Sequence, residues 1–335
     1  MMKIAKLLGN GKVDLVESDR PSSDDQTVLI KVKATGLCGS ELHGVKGPPV
    51  EREGFYNGGH EVVGVIEEAP SDSGFEPGMR AGARVVQGCG DCEFCNQGYE
   101  TACKSRTIFG QNGHAEYFRL GIRGIQPLPD DVDWPAGVLL SGDGLGVPVR
   151  AARRLGDTGG KKVVVLGLGP VGLSSVVVQV SRGAEVMGID LVEYRTKFAE
   201  ELGAARGVNS KSEDPKEAVL EWTDGHGADI VILAVGISAA YLQAIDLLRQ
   251  QGTLYQVGEL RELTLNPSDT FLRKEITIKG SWYYTSEDWK EMLALHERGV
   301  RYDKLITHVF PIEKVQEAFD VFVSGESGKV ILTYK

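Results

Sequence analysis

Residues 162–172 read Lys-Val-Val-Val-Leu-Gly-Leu-Gly-Pro-Val-Gly. The first five form an apolar run rich in valine, which is typical of a buried strand. The glycines that follow have the spacing G-x-G-x-x-G: the first permits a tight turn, the second lets the backbone approach a diphosphate, and the third lets the next helix pack on the strand. An ordinary glycine-rich turn is the alternative. The stretch predicts a dinucleotide-binding turn, with candidate residues Gly167, Gly169, Pro170, Val171 and Gly172.

The next predicted strand, 185–190, ends on Asp190, eighteen residues after Gly172. A carboxylate at this point accepts hydrogen bonds from the hydroxyls of an adenine ribose and repels a 2′-phosphate, which favours NAD over NADP. Arg195 follows closely in the sequence, and NADP therefore stays an alternative cofactor, because an arginine there can accommodate a phosphate. We therefore expect NAD as the cofactor, with NADP as the less favoured alternative.

Strands and helices alternate from about residue 144 onward, the pattern of a doubly wound parallel sheet. The predicted elements are strands at 162–166, 185–190, 229–234 and 252–257, and helices at 171–181, 195–202 and 238–248. The first third instead has short apolar runs separated by Gly and Pro, at 27–34, 62–67 and 84–87. Two late helices (286–298 and 313–324) and a strand (329–333) are expected to return to that part. The predicted class is α/β: an irregular all-β domain, 1–144 and 285–335, and a doubly wound domain, 145–284.

Four of the five cysteines lie within fifteen residues, at positions Cys89, Cys92, Cys95 and Cys103. This spacing lets one loop surround a single ion, and a zinc ion with four sulfur ligands has no open position for a substrate. The alternatives are unrelated core cysteines or an iron–sulfur cluster, although known iron–sulfur spacings differ from this one. The segment predicts a structural zinc site.

The bulk composition describes an ordinary folded protein. The 335 residues are enough for two domains, and 41% hydrophobic with 25% charged residues is typical of a globular chain. A net charge of −10 argues against nucleic acid as a partner, and no polybasic face is present for a membrane surface. The uncharged stretch 163–181 is nearly long enough to span a bilayer, but its glycines and proline favour a strand, a turn and a helix. The charged N-terminus lacks a signal-peptide core, so we expect a cytoplasmic protein with reduced thiols.

A second group of metal-binding side chains lies in the first third, where Cys38-Gly-Ser40-Glu41-Leu-His43 is followed by Gly59-His60-Glu61. A single histidine in a sequence is more often an ordinary core or surface residue than a ligand. Next to a predicted nucleotide-binding domain, however, this group suggests a metal site with three protein ligands and one free position, as catalytic zinc requires.

These motifs, in this order, resemble those of the zinc-dependent medium-chain dehydrogenase/reductases, the alcohol and polyol dehydrogenases. The resemblance rests on C-G-S-x-x-H at 38–43, G-H-E at 59–61, the four-cysteine segment and the glycine-rich turn with its aspartate, and it covers nearly the whole chain. It implies a GroES-like catalytic domain beside a Rossmann domain, two zinc ions per chain, NAD, and a homodimer or homotetramer.

The resemblance also implies roles for individual residues. Cys38 and His60 ligate the catalytic zinc, and Glu61 lies beside it as an occasional ligand. The third ligand falls within 140–151, where Asp143 is our choice, although it could instead cap the following helix. Ser40 and His43 carry the proton away by way of the cofactor ribose, and Glu41 orients His60. Cofactor contacts are expected from Asp190, Arg195, Val235 and Val257.

The predicted function is zinc-dependent transfer of a hydride between NAD(H) and a secondary alcohol, polyol or sugar-type hydroxyl, with a small hydroxylated molecule as substrate. The alternative is a catalytically silent NAD(P)-binding protein of the same fold with a structural or redox-sensing role. Aromatic and polar residues expected at the pocket, Arg52, Tyr56 and Trp282 to Tyr284, suit a hydroxylated substrate better than a fatty one.

Overall fold

The computed structural model describes residues 1–49 and 58–335. It divides into two compact units, the first formed by Met1–Gly146 with Tyr283–Lys335 and the second by Val147–Trp282. The chain passes from one unit to the other at 146–147 and at 282–283, each two residues from the boundary predicted from the sequence. Across the described ranges, every helix falls short of the length and apolarity that a bilayer crossing requires.

The second unit, which is described in full, is a parallel sheet flanked by helices. Its strands are β10 (Lys162–Leu166), β11 (Glu185–Asp190), β12 (Arg206–Asn209), β13 (Ala228–Leu233), β14 (Leu248–Gln256) and β15 (Thr277–Gly280), and its helices are α5 (Pro170–Ser181), α6 (Glu193–Glu201), α7 (Pro215–Trp222) and α8 (Ser238–Leu247). The strand order is β12-β11-β10-β13-β14-β15, with every pairing parallel. This is the Rossmann order 3-2-1-4-5-6, so the predicted doubly wound sheet is confirmed.

The central strands explain why this order is stable. In β10 and β13 almost every residue is apolar and buried, as expected for strands covered by helices on both faces. Their side chains form one core with Ala244 and Ile245 of α8. The carboxyl ends of β10, β11 and β13 therefore meet at one edge of the sheet, where ligands of such folds bind.

The first unit is built on β strands and carries additional helices. Its strands among the described residues are β1 (Met2–Gly9), β2 (Lys12–Ser18), β3 (Thr27–Gly36), β4 (Glu61–Glu68), β5 (Arg80–Ala83), β6 (Val86–Gln87), β7 (Thr107–Ile108), β8 (Tyr117–Gly121), β9 (Ile125–Pro127), β16 (Ile306–Pro311) and β17 (Lys329–Thr333). Its helices are α1 (Leu42–Lys46), α2 (Glu93–Asn96), α3 (Trp134–Ser141), α9 (Ser286–Glu297) and α10 (Val315–Ser324), and α4 (Asp143–Leu155) begins in this unit. The main sheet has the order β16-β17-β3-β4-β5-β9, with β8 also on β3.

The C-terminal strand returns to the first unit, as the sequence predicted. β17 is antiparallel to β3, with Ile331 opposite Gly36, and β4 pairs on the other side of β3, with Glu61 opposite the same glycine. The ends of three strands that are distant in sequence are thus adjacent. Cys38 follows β3 directly, so this corner of the sheet carries the candidate metal site.

The predicted strand 84–87 is wrong, because the structure breaks the chain there into β5 and β6. Arg84 is buried between them, and its guanidinium donates to the carbonyls of Val86 (2.7 Å) and Arg123 (2.8 Å). A buried guanidinium needs such acceptors, and supplying them from the local backbone interrupts the strand.

Candidate metal and cofactor sites

One donor from each of Cys38, His60, Glu61 and Asp143 lies within 4.8 Å of all the others. His60 Nε2 is 3.2 Å from Asp143 Oδ2. Glu61 Oε1 and Asp143 Oδ1 are buried and have no hydrogen-bond partner among the described residues. Buried carboxylate oxygens without partners are costly unless a cation satisfies them, so this group fits a zinc ion.

The acid–base behaviour of these groups follows from their contacts. Burial alone would lower the pKa of His60, but Asp143 and Cys38 raise it well above its ordinary value. Burial works against Asp143 as well, yet His60 holds the pKa of that carboxyl below its usual range. For Glu61, burial raises the pKa, Lys329 lowers it, and Asp143 raises it. A metal that binds here must replace the proton on His60, so metal affinity falls as the pH falls.

Glu41 has partners other than the expected ring of His60. One of its oxygens accepts from the backbone N–H of Cys38 (2.9 Å), and the other accepts from the N–H of Gly59. Its third partner is His114, whose Nε2 lies 2.9 Å from Glu41 in a pair with no solvent exposure. Glu41 thus joins the two backbone segments that carry Cys38 and His60.

This polar group continues away from the metal cluster. His114 Nδ1 is 2.9 Å from Thr35 Oγ1, which is 3.2 Å from the hydroxyl of Tyr334. Burial would raise the pKa of Glu41, but His114 lowers it to about 2. The pairing of His114 with Glu41 was not predictable, because the two residues lie 73 positions apart in the sequence.

Ser40 and His43 lie on the short segment after Cys38, in a 3₁₀ turn (Gly39–Glu41) and in α1. Both side chains are exposed. They are close in sequence to the metal cluster and accessible to solvent, which is compatible with transport of a proton.

The structure describes two of the tyrosines expected at the pocket, but not Arg52 and Tyr56, which lie outside the described residues. The hydroxyl of Tyr284 donates to the carbonyl of Ser141 (2.6 Å), and the hydroxyl of Tyr283 accepts from the N–H of Val85 (3.1 Å). Both tyrosines are buried, and these hydroxyls are engaged within the first unit.

The four-cysteine segment forms a compact group of thiols. Cys92 Sγ is 3.5 Å and Cys89 Sγ is 4.0 Å from Cys95 Sγ, and all five cysteines of the chain are free. Zinc–sulfur bonds of about 2.3 Å in a tetrahedron place the sulfurs about 3.8 Å apart, so Cys89, Cys92, Cys95 and Cys103 fit a zinc ion. Backbone N–H groups lower the pKa of Cys89 to about 6, and burial raises that of Cys95 to about 12.

The glycine-rich turn has the shape that its spacing predicts. Gly167 has φ +91°, and a Cβ on Gly172 would overlap the carbonyl oxygen of Gly167. A Cβ on Gly169 would meet nothing within 4 Å, so open space lies where a diphosphate approaches. Helix α5 starts at Pro170 without a side-chain cap, which leaves the N–H groups of Val171 and Gly172 available to an anion.

Asp190 holds this turn in addition to its expected role. Its Oδ2 accepts from the N–H of Leu168 (2.6 Å) and its Oδ1 from the N–H of Val192 (3.0 Å). Arg195 lies 3.8 Å from the same carboxylate. A carboxylate has about four acceptor positions, so capacity remains for ribose hydroxyls.

The two valines expected near the cofactor follow the carboxyl ends of neighbouring strands. Val235 comes after β13 and packs on the turn, since a Cβ on Gly167 would lie 3.1 Å from its Cβ. Val257 comes after β14, and its N–H donates to the carbonyl of Leu233 (3.0 Å). The turn, Asp190 and both valines are therefore at the ligand-binding edge of the sheet.

Family models and relatives agree with this arrangement. Residues 24–130 match the family described as alcohol dehydrogenase GroES-like domain, and residues 170–298 match zinc-binding dehydrogenase. Sorbitol dehydrogenase of Halalkalibacterium halodurans is 33% identical to this chain over 97% of this chain and 96% of that protein. The chain belongs to the zinc-dependent medium-chain alcohol and polyol dehydrogenases.

Two further relatives of this dehydrogenase extend the comparison. L-threonine 3-dehydrogenase of Chromobacterium violaceum is 29% identical over the full length of both chains. Among solved structures, alcohol dehydrogenase TADH from Thermus sp. ATN1 superposes with a TM-score of 0.90 at 25% identity, covering both chains completely.

Membership in this family confirms several predictions. The dehydrogenase is an NAD(H)-linked oxidoreductase that acts on CH–OH groups of a small molecule, and zinc and NAD are its cofactors. Its fold combines a GroES-like and a Rossmann domain.

Proposed function

We propose that this dehydrogenase oxidises a secondary alcohol or a polyol-type hydroxyl at a zinc ion held by Cys38, His60 and Asp143. The observation that carries the proposal is the cluster of donors from three distant segments within 4.8 Å, with a buried oxygen of Asp143 left without a hydrogen-bond partner among the described residues. Glu61 is the fourth member of the cluster, and we assign it a place beside the metal.

When bound, zinc lowers the pKa of a substrate hydroxyl, and NAD⁺ accepts the hydride from the adjacent carbon. The thiolate of Cys38 and the carboxylate of Asp143 together balance the charge of a divalent ion. His60 must be neutral to bind through nitrogen, which removes the proton that Asp143 otherwise favours. Ser40 Oγ would accept the proton that the substrate hydroxyl loses while giving up its own proton towards the cofactor ribose, and the exposed ring of His43 would pass that proton to solvent.

We assign NAD recognition to Asp190, whose carboxylate accepts from the ribose hydroxyls. Arg195 lies 3.8 Å from that carboxylate, so its charge is partly engaged there and less able to attract a 2′-phosphate. The N–H groups after Gly169 are the proposed diphosphate contacts, with Val235 and Val257 beside the bound dinucleotide. NAD is therefore favoured over NADP.

The proposed substrate class is a small polar molecule with a secondary or polyol-type hydroxyl. The names of two relatives support it, since sorbitol and L-threonine are both hydroxylated and polar. We further propose that the protein works in the cytoplasm, where the thiols stay reduced, as a homodimer or homotetramer. Light scattering on the purified protein should give the mass of two or four chains.

The direct test combines metal analysis with a substrate panel. The purified protein should contain two zinc ions per chain and reduce NAD⁺ with sorbitol, L-threonine or small secondary alcohols faster than with long aliphatic alcohols. Higher turnover of the long alcohols contradicts the substrate class, and absence of NADH formation with every compound favours a silent protein.

The ligand assignment is tested by Cys38→Ala. This variant should lose one zinc ion and its activity but keep its circular dichroism spectrum, because the Cys38 side chain is only partly buried and is a member of the metal cluster. Cys103→Ala is the matched control, which should lose the other zinc ion. Turnover retained in Cys38→Ala refutes the assignment.

A further inference from the structure

Lys329 is a lysine in the core of the first unit. It is the first residue of β17, followed by Val330, Ile331 and Leu332, and its relative exposure is 1%. Lysine is almost never fully buried unless it is paired. Its Nζ forms an ion pair with Oε2 of Glu61, which has no solvent exposure.

The sheet places this ion pair directly behind the metal cluster. Gly36 of β3 lies between β17 and β4, and a Cβ there would be 2.5 Å from Glu61 Oε2 and 2.6 Å from Lys329 Cε. On the other side, a Cβ on Gly144 would be 3.5 Å from Lys329 Nζ and 3.6 Å from Glu61 Oε1. The ammonium of Lys329 therefore lies close to the metal cluster, near Gly144, the residue that follows Asp143.

The cluster contains more carboxylate than one zinc ion needs. With Cys38 as a thiolate, a single carboxylate neutralises the ion, yet both Glu61 and Asp143 have an oxygen in range of the other donors. Lys329 supplies one further positive charge. The zinc ion, the Cys38 thiolate, the two carboxylates and the ammonium of Lys329 together then have no net charge, with one carboxylate facing the metal and the other facing the lysine.

We propose that Lys329 is a positioning residue that selects Asp143 as the zinc ligand by holding Glu61 in a buried ion pair. The inference rests on the proposed zinc site. If Glu61 moved to the metal, the ammonium of Lys329 would lose its counter-charge in a buried place, which is strongly unfavourable. The lysine thereby keeps the fourth coordination position open for a substrate hydroxyl.

The test uses Co²⁺ in place of zinc and imidazole as a probe of the open position. The four-cysteine site is closed, so imidazole should change only the visible spectrum of cobalt at the Cys38 site. In Lys329→Met, which keeps the length of the side chain without its charge, Glu61 is released to the metal. We expect imidazole to bind at least about tenfold more weakly there than in the wild type.

Two variants separate positioning from simple destabilisation. Lys329→Met combined with Glu61→Gln should regain wild-type affinity for imidazole, because no free carboxylate remains. Lys304→Met, which removes an exposed lysine, should match the wild type. If Lys329→Met does not fold, Lys329→Gln removes the same charge and must show the same weakening.

The result that overturns the inference is equal imidazole affinity in Lys329→Met and the wild type, or a loss that persists in the double variant. A wild-type protein whose cobalt spectrum never responds to imidazole, or that binds a single metal ion, instead refutes the proposed zinc site itself. The two failures are therefore distinguishable.

Discussion

Replacing Glu41 with Gln removes the charge that joins the two ligand-bearing segments. In the wild type, its carboxylate accepts from the N–H groups of Cys38 and Gly59 and contacts His114, and the side chains of Glu41 and His114 have no solvent exposure. Glutamine keeps the shape, but its NH₂ group cannot accept, so one backbone N–H loses its partner and the contact with His114 loses the carboxylate charge.

The size of the effect follows from the pKa of Glu41, which is lowered from 4.5 to about 2. A difference of this size corresponds to about 3 kcal/mol of stability. Leaving a buried donor without its acceptor costs about 1–3 kcal/mol, which is of the same order. Because the pKa is depressed in the folded state, this stabilisation is complete above about pH 4.5 and disappears as the pH falls towards 2.

Hydrogen exchange of the β4 amides measures this loss of stability within the first unit. A global unfolding curve does not, because a protein of two units need not unfold in a single step. At pH 7 the opening free energy of β4 should be about 3 kcal/mol lower in Glu41→Gln than in the wild type. This difference in opening free energy should decrease as the pH falls from 4.5 to 2. Glu17→Gln, at an exposed position of β2, should change it by less than about 0.5 kcal/mol. A change in Glu41→Gln no larger than that of the control, or a gap independent of pH, refutes the reasoning.

Two further perturbations test the other sites. Asp190→Asn should weaken NADH binding by roughly 10- to 100-fold, because hydrogen bonds to a charged acceptor are lost, while NADPH binding changes less. Fluorescence titration gives the ratio of the two affinities. An unaltered ratio shows that Asp190 does not select the cofactor. Cys95→Ser should lose one zinc ion and lower the melting temperature by at least about 5 °C, since the segment from Cys89 to Cys103 has little core of its own. Unchanged zinc content and melting temperature count against a structural metal.

Much of the fold was predictable where local signals are strong. Strands 185–190 and 329–333 have the predicted bounds, because each is an apolar run between turn residues. By contrast, β12 and β15 were not predicted. They are four-residue strands at the two edges of the sheet, half-exposed and partly charged, so they lack both the length and the periodicity that mark a strand.

The same division applies to the sites. Cys38, His60 and the four clustered cysteines were found because their side chains suit metal ions wherever the chain places them. Lys329 was missed, since a lysine at the start of an apolar strand looks like an ordinary surface residue in a sequence. Its burial depends on Glu61, 268 positions earlier, and on the pairing of both strands with β3.

The chain order of these residues has a consequence for biosynthesis. All donors of the four-cysteine site leave the ribosome within fifteen residues of one another, so that site can capture its ion early in translation. The Cys38 cluster must wait for Asp143, and its lysine counter-charge arrives only when β17 emerges, after the whole second unit has been synthesised. The order of synthesis therefore allows the four-cysteine cluster to form before the Cys38 cluster is complete.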